Sequence, residues 1–242
     1  MTHTVLADCG EFWRTRCGSF KRVIQLVRGR NLWQRPQMRC DEICLGNEKA
    51  RWYICPDNLS ASSVVYSFGV GEDISFDLEL ISRYHAELHA FDPTPRCIEW
   101  VRRQNLPREF VFHEYGLAHF DGLCKFLPPE NSAHISHTLL ERNLPWPAIE
   151  LPVKRLTTIM ESLGHDHIDL LKMDIEGAEY DVLNDLLSVG IRVDQLLVEF
   201  HHRWPEIGVH KTKVAIRYLN EAGYRIFNVS PTGDEFSFRR VL

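Results

Sequence analysis

From residue 64 onward, short β-branched or aromatic runs alternate with helical periodicities, the pattern of a parallel sheet flanked by helices. Val64, Val65, Tyr66, Ser67 and Phe68 read as a strand that Gly69-Val70-Gly71 breaks, and Ile74, Leu78 and Ile81 then share a helical face. Strands are expected at 87–91 and 110–113, with a helix opening at Pro95 between them. Thr158 and Glu161 have capping-box spacing, for a helix that stops at Gly164 before a strand at 168–173. A second helix carries Ala178, Val182, Leu183, Leu186 and Leu187, stops at Gly190 and feeds a strand at 195–200. A third carries Val214, Tyr218, Leu219 and Ala222, stops at Gly223 and feeds a strand at 224–227. Three helices that each end in glycine and lead into a strand specify βαβ units. A turn at 231–234 makes the last strand, 235–241, a hairpin partner of its predecessor.

Two stretches break this rhythm. Residues 118–152 hold five prolines and three histidines, His134 and His137 among them, without clear periodicity, and read as an insertion beside the site. Residues 11–29 place Trp13, Cys17, Phe20, Ile24 and Val27 at near-helical spacing among five basic residues. Such a helix suits a lid on the domain, with peripheral contact to a membrane or an acidic partner as the competing reading. The organisation expected is a basic extension or lid over residues 1–50 and a single α/β domain over 51–242.

Composition sharpens the division. The 242 residues carry a formal net charge of −5, yet residues 1–40 hold eight Arg/Lys against two acids, which leaves −11 on the remainder. An acidic body is a poor match for nucleic acid phosphate. No apolar run reaches membrane-spanning length and no leader-like pattern opens the chain, so a cytoplasmic protein is expected. The seven cysteines are scattered with no Cys-x-x-Cys spacing, and free thiols are expected.

Ligands of open parallel sheets bind beyond the carboxyl ends of the strands. The first such end is the Gly69-Val70-Gly71 turn, followed 21 residues after Gly71 by Asp92, where a carboxylate can accept two ribose hydroxyls. That pairing fits a dinucleotide or an S-adenosylmethionine site. A pyrophosphate-binding turn would need glycine at 74, which is Ile74, and Glu72-Asp73 suits a sulfonium better than a pyrophosphate. The methyl donor is favoured over NAD. The fourth strand ends at Asp174, positioned to face the ligand, while Glu176 and Glu179 have a sufficient structural role at a helix start. Alternation places Glu199 and His201 on one face beyond the fifth strand and His202 on the other.

The run Leu171-Lys172-Met173-Asp174-Ile175-Glu176-Gly177-Ala178-Glu179 resembles the signature of FkbM-type S-adenosylmethionine-dependent methyltransferases, and residues 65–77, 91–94, 163–165 and 198–201 are similar to its methyltransferase-like branch. The resemblance spans about residues 50–230. It implies a class I methyltransferase (Rossmann-like) fold, with a seven-stranded, mostly parallel sheet, helices on both faces and an antiparallel last strand. It also implies the cofactor S-adenosylmethionine, with its methionine part on Ser67, Gly69 and Gly71, its ribose on Asp92 beside Pro93, and its adenine near Tyr115 and Gly116. Asp174 should stand near the reacting methyl group. O-methylation of a hydroxyl on a sugar, natural product or other small molecule is expected, with an anionic acceptor among the candidates. His201 or Asp174 would take the proton and Glu199 would orient. No metal is assigned; convergence of Asp174, Glu199 and His201 on a divalent cation ranks second. The other readings are a NAD-type oxidoreductase and a non-catalytic binding protein that keeps the fold.

Overall fold

The computed structural model describes residues 22–126 and 149–241. A seven-stranded sheet runs through it in the order β11-β12-β10-β9-β3-β4-β5. Its strands are β3 (Val65–Phe68), β4 (Leu88–Phe91), β5 (Phe110–His113), β9 (Ile168–Met173), β10 (Val193–Glu199), β11 (Tyr224–Val229) and β12 (Glu235–Arg240). Neighbours from β10 to β5 pair in parallel, and β12 runs antiparallel to both β10 and β11. This is the seven-stranded class I arrangement expected, and β11 and β12 form the expected hairpin.

The sheet is covered on both faces because its strands carry apolar side chains at successive positions. Tyr66, Phe68, Phe91 and Met173 enter one core, while Val65, Leu88, Ala90 and Leu170 enter the other. The helices are α1 (Ser75–Tyr84), α2 (Pro95–Val101), α3 (Leu156–Leu163), α4 (Glu179–Val189) and α5 (Gly208–Glu221). Gly164 and Gly190 close α3 and α4 in the left-handed conformation expected of them.

Two helix details differ from the pattern-based expectation. The helix α3 begins at Leu156, which puts Thr158 inside it rather than at a cap. Asp121 instead anchors the helix start from elsewhere in the chain, accepting from Arg155 N and Thr158 Oγ1, both at 2.8 Å. In α5 the buried stripe is Thr212, Ala215, Ile216 and Leu219, and Tyr218 is 40% exposed. Periodicity treats Thr212 as polar, but its hydroxyl lies 2.9 Å from Tyr180 Oη, which makes burial inexpensive.

The cysteines also depart from expectation. Strands β1 (Ile43–Leu45) and β2 (Trp52–Ile54) form an antiparallel hairpin pairing Ile43 with Ile54, and this brings the flanking Cys40 and Cys55 together as a disulfide. Spacing could not show the pair because it depends on the hairpin register. Residue 50, the expected domain boundary, lies in the link between these strands, and Leu45, Trp52 and Ile54 pack into the core with Val65 and Leu88.

Gln37 N and Met38 N donate to Ile226 O at 2.6 and 3.1 Å, covering the edge strand β11. Of the expected basic helix, residues 22–29 are described and 22–27 are helical. Arg22 Nη1 donates to Ser230 O at 3.0 Å, docking this segment on the β11–β12 hairpin, while Val27, expected on the apolar face, is 84% exposed. Strands β6 (Gly116–Leu117), β7 (Gly122–Phe126) and β8 (Ile149–Lys154) make a small second sheet from both ends of the expected insertion. Its middle, with His134 and His137, lies outside the described residues. Among the described residues no helix is long and apolar enough to cross a membrane.

Candidate active site

Because β3 and β9 are adjacent and parallel, the turns that follow them meet. Asp174 N donates to Phe68 O at 3.1 Å, and a Cβ on Gly69 would lie 1.9 Å from Asp174 O. Gly69 also sits at φ +81°, so glycine is required twice over. Beneath the turn, Lys172 is buried, its Nζ donating to Gly69 O at 3.0 Å with the Trp52 ring 5.7 Å away. Burial pushes the neighbouring Asp77 carboxyl up, and Lys172 opposes that rise.

A cavity of about 620 Å³ opens over these turns, within the range of small-molecule sites. Gly69, Gly71, Asp92, Pro93, Gly116, Asp174 and Glu199 line it, so seven of the residues singled out in the sequence share one space. Ser67 and Tyr115 do not line it. Ser67 is fully buried below the turn, and Tyr115 packs on Phe91 and His113 with Lys154 Nζ 4.2 Å over its ring.

Asp92 is already engaged. Its Oδ1 accepts from Thr94 N and Oγ1 at 2.9 and 2.6 Å, and its Oδ2 accepts from Gly71 N at 3.1 Å. Asp92 therefore holds the turn and the start of α2 together while its carboxylate lines the cavity. The space where a Cβ on Gly71 would point is open, which leaves a cradle at the turn. Glu72 is paired with Arg96 at 2.7 Å, and Asp73 accepts from Asn47 Nδ2 at 2.6 Å, so both acids at the rim are held by partners. A glycine cradle, a carboxylate at the end of β4 and an acid-rich wall fit a ribose-bearing sulfonium cofactor.

The opposite wall is a carboxylate and imidazole pole. His201 Nδ1 donates to Glu179 Oε1 at 2.9 Å, while Nε2 faces Glu176 Oε2 at 3.3 Å and Asp174 Oδ1 at 3.8 Å. Glu179 is fully buried and also accepts from Ile175 N and Gly177 N, so it shapes the turn and aims the histidine together. Glu176 is held at φ +52°, a left-handed conformation that non-glycine residues seldom adopt. Trp204 packs on the His201 ring, 4.6 Å between centroids.

Charge crowding sets the titration of this pole. Burial, then Glu176, pushes Asp174 up to about 6. The charge of Asp174, then burial, pushes Glu199 well above the usual carboxylate range. For His201 burial favours the neutral ring, but Glu179 and Glu176 outweigh it and raise the imidazole well above its ordinary value. His202, on the other side, is buried 3.6 Å from Asp234, and burial holds it down to about 4.

His201 does not line the cavity itself; it reaches the space through Asp174 and Glu176. Sequence reading assigned no site role to Lys172, Asp77, Thr94 or Trp52. One signal was available, a lysine inside the apolar Leu170–Met173 end of the strand.

Residues 63–226 match the Methyltransferase FkbM domain family. The chain is 25% identical over 175 residues to the human probable methyltransferase-like protein 24, covering 68% of this chain and 42% of that protein. It is 24% identical over 195 residues to the rat protein of the same name, covering 73% and 48%. It therefore spans less than half the length of these curated relatives. Among solved structures it is similar to the methyltransferase FkbM of Methylobacillus flagellatus KT, with a TM-score of 0.47 and 14% identity over 75% of this chain and 44% of that one.

Proposed function

The chain belongs to the FkbM methyltransferase family, and from that premise we propose that it moves a methyl group from S-adenosylmethionine to a hydroxyl on a small-molecule acceptor such as a sugar or natural product. The observation that carries the reading is the close approach of Gly69 to Asp174, which puts the cofactor cradle and the acidic pole in one cavity. Family membership removes the NAD oxidoreductase alternative.

Bound there, S-adenosylmethionine supplies a methyl carbon on a positively charged sulfur that leaves readily as a thioether. The chain's part is alignment and proton management. Gly71 and Asp92 hold the ribose side, Lys172 fixes the Gly69 carbonyl, and Gly116 lets the opposite wall approach closely, a Cβ there lying 3.2 Å from Pro93 Cγ. The pole of Asp174, Glu199 and His201 draws the proton from the acceptor hydroxyl. Because His201 stands behind Asp174 and Glu176, it acts through them.

Calorimetry with S-adenosylhomocysteine tests the first half of the proposal, and methyl transfer across a panel of hydroxylated acceptors tests the second. Binding in a single site, lost in Asp92→Ala, is expected. Absence of binding sinks the reading, and binding without turnover on any acceptor favours a non-catalytic role.

A further inference from the structure

Asp174, Glu176 and His201 present three ligand atoms, one each, that all lie within 4.8 Å of one another. We infer that they form a divalent-cation site on the wall of the cofactor cavity, taking a manganese-class ion. The inference rests on the methyltransferase reading and specifies how the pole draws the acceptor's proton.

Separation is the first argument. Ligand atoms about 2.1 Å from a common ion stand about 3.0–3.4 Å apart in octahedral or tetrahedral geometry. His201 Nε2 lies 3.3 Å from Glu176 Oε2 and 3.8 Å from Asp174 Oδ1, and all three ligand atoms lie within 4.8 Å of one another, so side-chain rotations that draw the two carboxylates together close the set round an ion. The second argument is tautomer. Glu179 accepts the Nδ1 proton, which directs the Nε2 lone pair at the two carboxylates when the ring is neutral, the carboxylate–histidine pairing that supports metal-bound imidazoles. The third is an unmet acceptor. Asp174 Oδ1 is buried and receives no hydrogen bond among the described residues, although its neighbours are rich in polar atoms. A buried carboxylate oxygen without a donor is costly, and an ion in line with it removes the cost.

The donor set narrows the ion. Two carboxylates and one imidazole suit Mn²⁺ better than the softer, thiolate-seeking metals, and three protein ligands leave positions open. Asp174 and Glu176 line the cavity, so those positions face the acceptor. A hydroxyl ligated there loses its proton more readily. The proton passes to Glu199, which lines the same space. The carbon–oxygen bond then forms as the carbon–sulfur bond breaks, its electron pair staying on sulfur. The Asp174, Glu199 and His201 set expected from sequence is thus revised: Glu176 takes the place of Glu199, because the turn at φ +52° carries its carboxylate to His201.

The test is Mn²⁺ titration of the chelator-treated chain, followed by paramagnetic resonance and calorimetry. Binding of one ion is expected, weakened about tenfold or more by Glu176→Gln and by His201→Ala, and unchanged in Asp181→Asn, an exposed acid on α4 outside the set. Thermal unfolding in chelator and affinity for S-adenosylhomocysteine report whether each variant is folded. No binding at millimolar Mn²⁺, or binding that neither variant weakens, overturns the site and leaves an ion-paired histidine. Mn²⁺ binding with no affinity for S-adenosylhomocysteine overturns the methyltransferase reading instead.

Discussion

Glu179 Oε1 lies 2.9 Å from His201 Nδ1 and 3.1 Å from Gly177 N, so one buried carboxylate both shapes the turn after β9 and aims the histidine beyond β10. Its removal should act on two levels. Glu179→Ala leaves Ile175 N, Gly177 N and His201 Nδ1 without their acceptor. Each buried group left unmet costs about 1–3 kcal/mol, so a stability loss of several kcal/mol is expected in urea denaturation. Glu179→Gln keeps an acceptor oxygen and should recover most of that stability. Because the neutral amide lacks the charge that favours His201 protonation, it should still lower the imidazole pKa, as read from the histidine resonances by NMR.

Gly69 and Gly71 share the left-handed conformation and should respond differently. Alanine at 69 would place its Cβ on the Asp174 carbonyl, a clash that backbone must move to relieve. Gly69→Ala is therefore expected to destabilise the fold by more than about 2 kcal/mol. Gly71→Ala meets open space and bears only a conformational cost of about 1 kcal/mol. It fills the cradle, however, so S-adenosylhomocysteine affinity should fall in a protein that still folds. Equal losses of stability in the two variants would contradict this assignment.

Asp92 should matter to the cofactor beyond its help to the turn. Asp92→Asn keeps the shape and loses the charge, and Asp92→Ala loses the acceptor for Gly71 N and Thr94 as well. A charge-assisted hydrogen bond contributes about 1.5–3 kcal/mol, so calorimetry should show roughly tenfold or greater weakening in Asp92→Asn and more in Asp92→Ala.

Much of this architecture could be read from the chain because local signals agreed with the global fold. Strands 110–113 and 168–173 and the glycine stops at 164 and 190 coincide with the structure. Asp92, Asp174 and Glu199 were legible as residues at strand ends, which the topology gathers at one edge. What was hidden depends on contacts distant in sequence. The Asp121 anchor at the start of α3 crosses 34 residues, and the Thr212–Tyr180 pair crosses 32. Glu176 and Glu179 looked sufficient as helix-start acids, since nothing local to them announces that His201 folds back onto both.

The Cys40–Cys55 disulfide closes a loop with a sequence separation of 15. Restricting an unfolded loop of that size is worth about 3 kcal/mol. Replacing both cysteines by alanine, or adding reductant, should lower the denaturation midpoint by the corresponding amount without loss of the sheet. Peptide mapping without reduction should recover the two cysteines linked, and Cys44, Cys97 and Cys124 as free thiols.

The histidines of the aromatic band predict an acid-sensitive fold. His113 is stacked on Phe91 at 4.5 Å between centroids, and its Nε2 lies 3.0 Å from His89 Nδ1. Burial holds both imidazoles down to about 4 against an ordinary value of 6.5. The folded-state value lies below the unfolded one, so the unfolded chain takes up protons first as pH falls. Each histidine therefore contributes stability in full above about pH 6.5 that is lost progressively toward pH 4. Asp234 works in the opposite direction: burial raises it to about 7, so its folded form gains protons, and stability, as pH drops through that value. A single pH profile sums the two effects. A variant separates them: His113→Phe keeps the stacking and removes one titrating ring. Compared with the unaltered chain, it should lose less stability between pH 7 and pH 5 in urea denaturation. An identical loss in both proteins would show that His113 is not held neutral in the fold.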